Sequence, residues 1–415
     1  MKLLILFILS LTKLALADNY INVCDRGDVK VALAFYASPN NTCEKVSIEQ
    51  MQKITTLFFS YNSDFPANSF QGLTSLSNLT FSDNKFNKFH ENIFNNLTSL
   101  ETLKLQNNEF NKLTSLSLKN LVNLKSLTIE DDISLEDDSL KNLMSLKKLH
   151  LSKVHSATGK LFERLESLEE LTLSGNKSVD LDIINSINLP KLKILTLSSN
   201  DLESIPKGIS KLISLEKLNI SFNQIKNIDF DVFRNLKNLK ELNLSNNKLS
   251  FISNYDFEFL TDLIILDISN NEVTHIEEES FINLMKLKKI NISYNPLNKL
   301  NSKWFLSQTS LEEILIKEIN LTEIPNNIFS NSSLKHINLS FNKLIKFPDE
   351  FKKMTNLRHL NFGFNWELQS VPDEYFNFLT NLKTLDLRGT QIKSISRRKS
   401  GLSKDVNVAG VQTED

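Results

Sequence analysis

The sequence predicts an α/β repeat solenoid, and three observations carry that expectation. A phrase seen most clearly at Leu239–Leu249, L-K-E-L-N-L-S-N-N-K-L, recurs along nearly the whole chain. Its first apolar position returns at Ile54, Leu76, Leu100, Leu124, Leu146, Leu168, Leu192, Leu215, Leu239, Leu263, Leu287, Leu311, Leu334, Leu357 and Leu382, fifteen repeats in steps of 22 to 25 residues. Within the phrase, Leu242 and Leu244 stand two apart, which is strand spacing and puts both on one face. Asn247 then ends the strand with a side chain able to bond backbone groups in a turn. One such match means little, but a period held this long defines the fold.

Leu239, Leu242, Leu244, Asn247 and Leu249 fill an L-x-x-L-x-L-x-x-N-x-L frame, here numbered from position 1 to position 11. This frame resembles the leucine-rich repeat. The resemblance implies a curved horseshoe with a parallel β-sheet on its concave face and a convex side of irregular segments and short helices. Pro206, Pro325, Pro348 and Pro372 follow the frame where the convex side begins, as in repeats of the typical class. A solenoid grows by adding neighbours, so 415 residues need not divide into globular domains. The repeats occupy 54–395.

The N-terminus reads as a signal peptide over 1–17. Lys2 precedes the apolar run Leu3–Leu11, and Ala15-Leu16-Ala17 is an A-x-A cleavage site, so the mature chain is expected to begin at Asp18. An uncleaved anchor is the alternative. Cleavage removes Lys2 and Lys13 and takes the net charge from −1 to −3, which gives no footprint for nucleic acid. No later run is long enough to span a membrane. Secretion or display at the cell surface follows.

Residues 18–53 lack the frame, as expected of a cap covering the apolar end of a solenoid. Asp25–Tyr36 has helical apolar spacing, and Ser47-x-x-Gln50 is a capping box opening a second short helix. In an exported protein Cys24 and Cys43 are expected to form one disulfide closing this cap. The stretches C-D-R-G-D-V-K-V-A-L, C-E-K-V-S and I-T-T-L resemble the cap of secreted bacterial leucine-rich-repeat proteins. Arg26-Gly27-Asp28 reads as helix-start chemistry rather than an adhesion tripeptide. At the other end, the polar residues 396–415 carry no frame and are expected to be disordered.

In thirteen repeats a large apolar residue sits six positions before the next frame: Phe at nine sites from Phe70 to Phe376, and Leu118, Leu140, Ile209 and Ile328. A register of this kind predicts an aromatic spine packed in the core. Asn holds position 9 in eleven repeats, where stacked side chains can serve buried backbone groups. Asp132, Val154, Ile319 and Thr390 depart from it. The repeats of Asp132 and Val154 adjoin each other and carry the irregular stretch His155–Lys160, so a kink or loop is expected near 130–160, functional or simply a decayed repeat.

Function must lie on positions 2, 3, 5, 7 and 8, which project from the concave sheet. Lys147-Lys148 precede Glu169-Glu170, Lys288-Lys289 precede Glu312-Glu313, and Glu216-Lys217 faces Lys240-Glu241. In register these lie about 4.8 Å apart and either satisfy one another or form a mixed-charge binding surface. Position 8 carries Tyr61, Phe222, Tyr294, Phe341 and Phe364, and position 3 stacks His336 on His359. Half-exposed aromatics are good material for an interface, the alternative being that S-F-N and S-Y-N are ordinary repeat spellings in which each ring covers its neighbour. The expected partner-binding patch is therefore Tyr294, Glu313, His336, Phe341, His359 and Phe364.

Zinc on His336, His359 and Glu313 is conceivable, but a flat open sheet lacks enclosing geometry, so no metal is expected. H-E-x-x-H, G-x-S-x-G and phosphate-cradling glycine loops are missing, and no enzyme or cofactor is expected. The sequons at Asn40, Asn96, Asn176, Asn320 and Asn331 carry meaning only in a eukaryotic host. The reading is an exported protein-binding solenoid whose concave face takes a protein or glycan ligand. The alternatives are the ectodomain of a leucine-rich-repeat receptor and a structural protein of an envelope or matrix.

Overall fold

The computed structural model describes residues 20–415 except 63, 64, 87, 110, 111, 157, 177–180, 331 and 332. The signal peptide and its cleavage site lie outside the described residues. Two compact units are present, the first reaching to Asn200 and the second running from Asp201 to Asp415. Among the described residues no helix is long and apolar enough to cross a membrane.

The first unit opens with the cap. Tyr20–Ile21 pairs antiparallel with Val46–Ser47. The helix Val29–Ala37 buries Val29, Ala32 and Leu33, starting four residues later than the apolar spacing suggested. The hydroxyl of Ser47 accepts the N–H of Gln50 at 3.3 Å and opens the short helix Ile48–Met51. Cys24 and Cys43 form a disulfide. Arg26 is buried and donates to the Gln71 carbonyl at 2.5 Å, tying the cap to the first coil rather than presenting itself to a partner.

Seven parallel strands follow among the described residues of this unit, in chain order from Thr56–Ser60 to Ile194–Thr196. Each pairs in register with the next, as Thr56 with Asn78 and Asn78 with Thr102. Positions 4 and 6 point inward and are buried at Leu57 and Phe59, Leu79 and Phe81, Leu103 and Leu105. Parallel strands buried on this face need a polar device to close each coil, and position 9 supplies it. Asn84 donates from Nδ2 to the Phe59 carbonyl at 3.0 Å and accepts the N–H of Asn62 at 3.1 Å.

Near 130–160, where a kink or loop was expected, the chain keeps strand structure with a local irregularity. Lys112–Leu113, Ile133–Leu135 and Val154–Ser156 form a second, small parallel sheet, with Ile133–Leu135 in the middle and a register shift between Val154 and Ser156. Buried Ile133, Leu135 and Val154 supply the apolar row that the frame alone does not register. The missing ladder residue is also explained. Asp131, one position early and only 1% exposed, accepts the N–H of Asn108 at 2.5 Å in place of an asparagine at 132.

The second unit repeats the plan with nine strands among its described residues, from Lys217–Asn219 to Asn407–Ala409. Asn247 donates to the Ile220 carbonyl at 3.0 Å and accepts the N–H of Ile225 at 3.1 Å, and Asn271, Asn295 and Asn365 do likewise. Where Ile319 breaks the ladder, Asn342 Oδ1 accepts from both Ile319 and Leu321. Behind the sheet Phe257, Phe281 and Phe305 stack at 6.2 and 5.8 Å, and the next ring at 5.8 Å is Phe329, one residue after the expected Ile328. Pro206 and Pro348 precede the 3-10 turns Lys207–Lys211 and Asp349–Lys353 on the convex side.

The expected disorder of 396–415 is corrected. Ser396 caps the short helix Arg397–Ser400, and Gly401 ends it in the left-handed region at φ 73°. Asn407–Ala409 then pairs with Thr384–Asp386, and Gln412–Glu414 pairs with Ser394–Ser396. Buried Ile395, Leu402 and Val406 drive this last coil. Leu402 stands in the slot that Leu379 fills one coil earlier, a match masked by the surrounding charged residues.

Two outcomes are expected. Opening the cap disulfide with Cys24→Ser and Cys43→Ser frees a loop of about 20 residues and lowers unfolding stability by about 3 kcal/mol, read by denaturant titration. Asp131 has its pKa raised to about 6, chiefly by burial and against the hydrogen bonds from Asn108. A carboxyl raised in the folded state binds its proton more tightly there, so its contribution to stability falls as pH rises from about 4 to about 6. Asp131→Asn removes that loss, and its gain over the parent chain grows to roughly 2–3 kcal/mol at neutral pH, measured by thermal melts across pH.

Candidate binding surface

On the exposed face of the second unit, position 5 carries a polar row that the frame does not mark. Asn219, Asn243, Asp267, Asn291, Asn338, Asn361 and Asp386 each accept the backbone N–H two residues on, at 2.8–3.1 Å. This Asx-type turn rounds each strand into its loop. Leu315 alone interrupts the row, and there the Lys317 N–H turns to Ser293 Oγ of the preceding coil at 3.0 Å. The coil from Leu311 thus departs from its neighbours at positions 5, 7 and 9.

The strand register brings the expected position-3 residues together. Glu313 lies beside His336, His336 beside His359, and His359 beside Thr384. The two imidazoles stack with centroids 4.5 Å apart, and His359 Nδ1 lies 2.9 Å from Thr384 Oγ1. Burial, His336 and Arg358 together lower the pKa of His359. Glu313 is drawn to Lys289 at 2.9 Å rather than to the histidines. Stacked rings do not aim two nitrogens at one point. Among the described residues, the group of three metal-type side chains within reach of one another is Cys24, Cys43 and Glu44, whose cysteines are in the disulfide.

The charged pairs of the concave face bond across coils. Lys147 reaches Glu169 at 3.2 Å, Lys148 reaches Glu170 at 2.8 Å, Lys217 reaches Glu241 at 2.7 Å and Lys335 reaches Glu312 at 2.8 Å. Exposed pairs like these add little stability, but they cancel charge that a ligand would otherwise feel.

Position 8 has a backbone signature. In fourteen of the fifteen coils it lies at positive φ, the exception being the coil where Asp131 has moved into the ladder. Asn246, Asn270 and Gly389 accept this conformation readily, whereas a bulky side chain there costs roughly 1–2 kcal/mol. Tyr61, Phe222, Tyr294, Phe341 and Phe364 nevertheless occupy it, at φ between 55° and 60°.

In the second unit these rings line up. Lys317 Nζ sits 4.7 Å from the centroids of both Tyr294 and Phe341, bridging the coil whose position 8 is Glu318. Phe341 stacks on Phe364 at 4.3 Å, and Phe364 meets Trp366 edge to face at 5.6 Å. A Cβ on Gly389 would lie 2.6 Å from Phe364 Cδ1, so glycine lets the ring rest on the backbone of the next coil. Lys317 and Trp366 escaped the sequence reading. Lys317 was legible as the position-7 residue standing where other coils place Ser221, Ser245, Ser269, Ser293 and Ser340, while Trp366 lies beyond position 9 and the frame gives it no role.

Two family models match the chain. The BspA type leucine rich repeat region matches residues 63–189 and 274–399, and a second leucine rich repeat model matches 166–225 and 213–272. No curated protein matches by sequence. The chain is similar in structure to a leucine-rich-repeat protein of Leptospira interrogans, with 23% identity and TM-score 0.69 over 87% of this chain and 97% of that one. It is similar to an internalin of Listeria monocytogenes, with 24% identity and TM-score 0.58 over 93% and 94% of the two chains. It is also similar to the Toll–Spatzle complex of Drosophila, with 18% identity and TM-score 0.71 over 87% of this chain and 54% of that one. Coil period, parallel sheet, asparagine ladder and family match converge: the chain belongs to the leucine-rich-repeat proteins, with repeats of the BspA type.

Proposed function

We propose that this is an exported, non-enzymatic recognition protein that binds a protein ligand on the exposed sheet face of its second unit. The leucine-rich-repeat solenoid is a fold used in protein–protein recognition, and the similar Toll structure is a complex with Spatzle. The observation that carries the reading is the line of Tyr294, Phe341 and Phe364 at a backbone position where Asn or Gly is cheaper. Strained residues held at a surface are a mark of function rather than of folding. Glu313, His336 and His359 lie along the same coils and give the patch polar character.

Export is supported by Lys2, the apolar run after it and the Ala15-Leu16-Ala17 site, and by a cap disulfide suited to an oxidising compartment. N-terminal sequencing of the chain recovered from culture medium is expected to begin at Asp18; retention of Met1 on the cell-associated chain would favour the anchored form. For the ligand, the purified chain and a His336→Ala, Phe341→Ala, Phe364→Ala variant are crosslinked to proteins of candidate partner cells. One partner captured by the parent and lost at least about tenfold in the folded variant supports the site. Capture that the variant retains moves the site elsewhere, and crosslinking only to itself favours a structural role.

A further inference from the structure

The partner class can be narrowed, on the footing of the recognition reading above. In the last three framed coils, from Leu334 onward, positions 2, 3, 5 and 7 present four cations, Lys335, Arg358, Lys383 and Arg388, against the single carboxylate of Asp386. The chain as a whole is at −1. Lys335 is neutralised by Glu312 at 2.8 Å, and Arg388 grips its own Asp386 at 2.6 Å. Arg358 and Lys383, adjacent at position 2 and exposed, have no carboxylate within ion-pair distance among the described residues. The field they set is felt locally, since Arg358 contributes to lowering the pKa of His359.

The aromatic line at the other end of the same strands limits the ligand's shape. Phe341 has Lys317 from the preceding coil on one face and Phe364 from the following coil on the other. Phe364 rests on the Gly389 backbone beyond. Both ring faces are thus occupied, and what the rings offer outward is their edges, with Trp366 beside them 62% exposed. A sugar that stacks on a ring face finds none free on Phe341 or Phe364, whereas aliphatic side chains pack well on ring edges. The N–H groups of Phe341 and Phe364 already bond to the carbonyls of Gly363 and Arg388, so a ligand here meets side chains rather than these backbone donors.

We propose that this face takes an acidic protein segment lying along the strands, with carboxylates against Arg358 and Lys383 and apolar side chains against the edges of Phe341, Phe364 and Trp366. Positions 2 and 8 are six residues apart, at most about 20 Å, so up to about seven extended residues cover both ends.

The probe is a fluorescent peptide of about eight residues with Glu in one half and Leu in the other, made in both orders and titrated against the full chain with anisotropy as readout. Its Lys–Leu and Glu–Ser counterparts and dextran sulfate run alongside. Expected is binding of the Glu–Leu peptide at least about tenfold tighter than either counterpart, weakening as salt is raised. The Arg358→Ala, Lys383→Ala variant and, separately, Trp366→Ala each weaken it about tenfold, while Lys147→Ala in the first unit leaves it unchanged. Equal binding of the Lys–Leu peptide, failure of the Glu–Leu peptide, or binding of dextran sulfate alone overturns the proposal. If the crosslinked partner still depends on His336, Phe341 and Phe364 while the acidic peptide fails, the site stands and its acidic ligand does not.

Discussion

The position-9 side chain is the constraint on which each unit depends. A coil must leave its strand, turn and pass behind the sheet, and doing so buries backbone N–H and C=O groups that no strand partner reaches. One carboxamide offers an acceptor and two donors, enough to close two adjoining coils at once. Asn84 joins its own coil to the preceding one, where it serves the Phe59 carbonyl and the Asn62 N–H, and Asn247 in the same way serves Ile220 and Ile225. A substitute shows how firm the demand is: where the residue at 132 cannot serve, Asp131 moves in as a buried carboxylate that accepts the N–H of Asn108.

Much of this was legible in the sequence because the same physical demand recurs every 22 to 25 residues. The frame located the strands of fifteen coils, the inward leucines and the ladder. It failed where one coil met the demand in another way. Asp131 and Phe329 each stand one residue away from their expected slot, an offset invisible to a fixed register because the backbone absorbs it. The final coil escaped because Arg397, Arg398 and Lys399 dominate its composition, while Ile395, Leu402 and Val406 do the burying. Lys317 and Trp366 escaped for another reason. Their neighbours are fixed by how adjacent coils stack, and a lysine held between two rings leaves no signature along one coil.

The second unit separates tasks by position. Positions 4 and 6 fill the core, position 9 closes the coil, and position 5 shapes the turn through its side-chain acceptor. Position 3 and position 8 are left to vary. The coil from Leu311 breaks two of these rules together, with Leu315 and Ile319, and it is the coil whose Lys317 joins Tyr294 to Phe341. Structural irregularity and the continuity of the exposed aromatic line therefore meet in one place.

The left-handed backbone at position 8 has a consequence for how such a protein can change over generations. The cost of a bulky residue there is borne by the local dihedral and not by the packed interior, so a codon change from asparagine to phenylalanine or tyrosine alters the rim while the core stays as it was. Every framed coil but that of Asp131 offers one such address. The row that faces a ligand can therefore change its chemistry separately from the residues that hold the coil together.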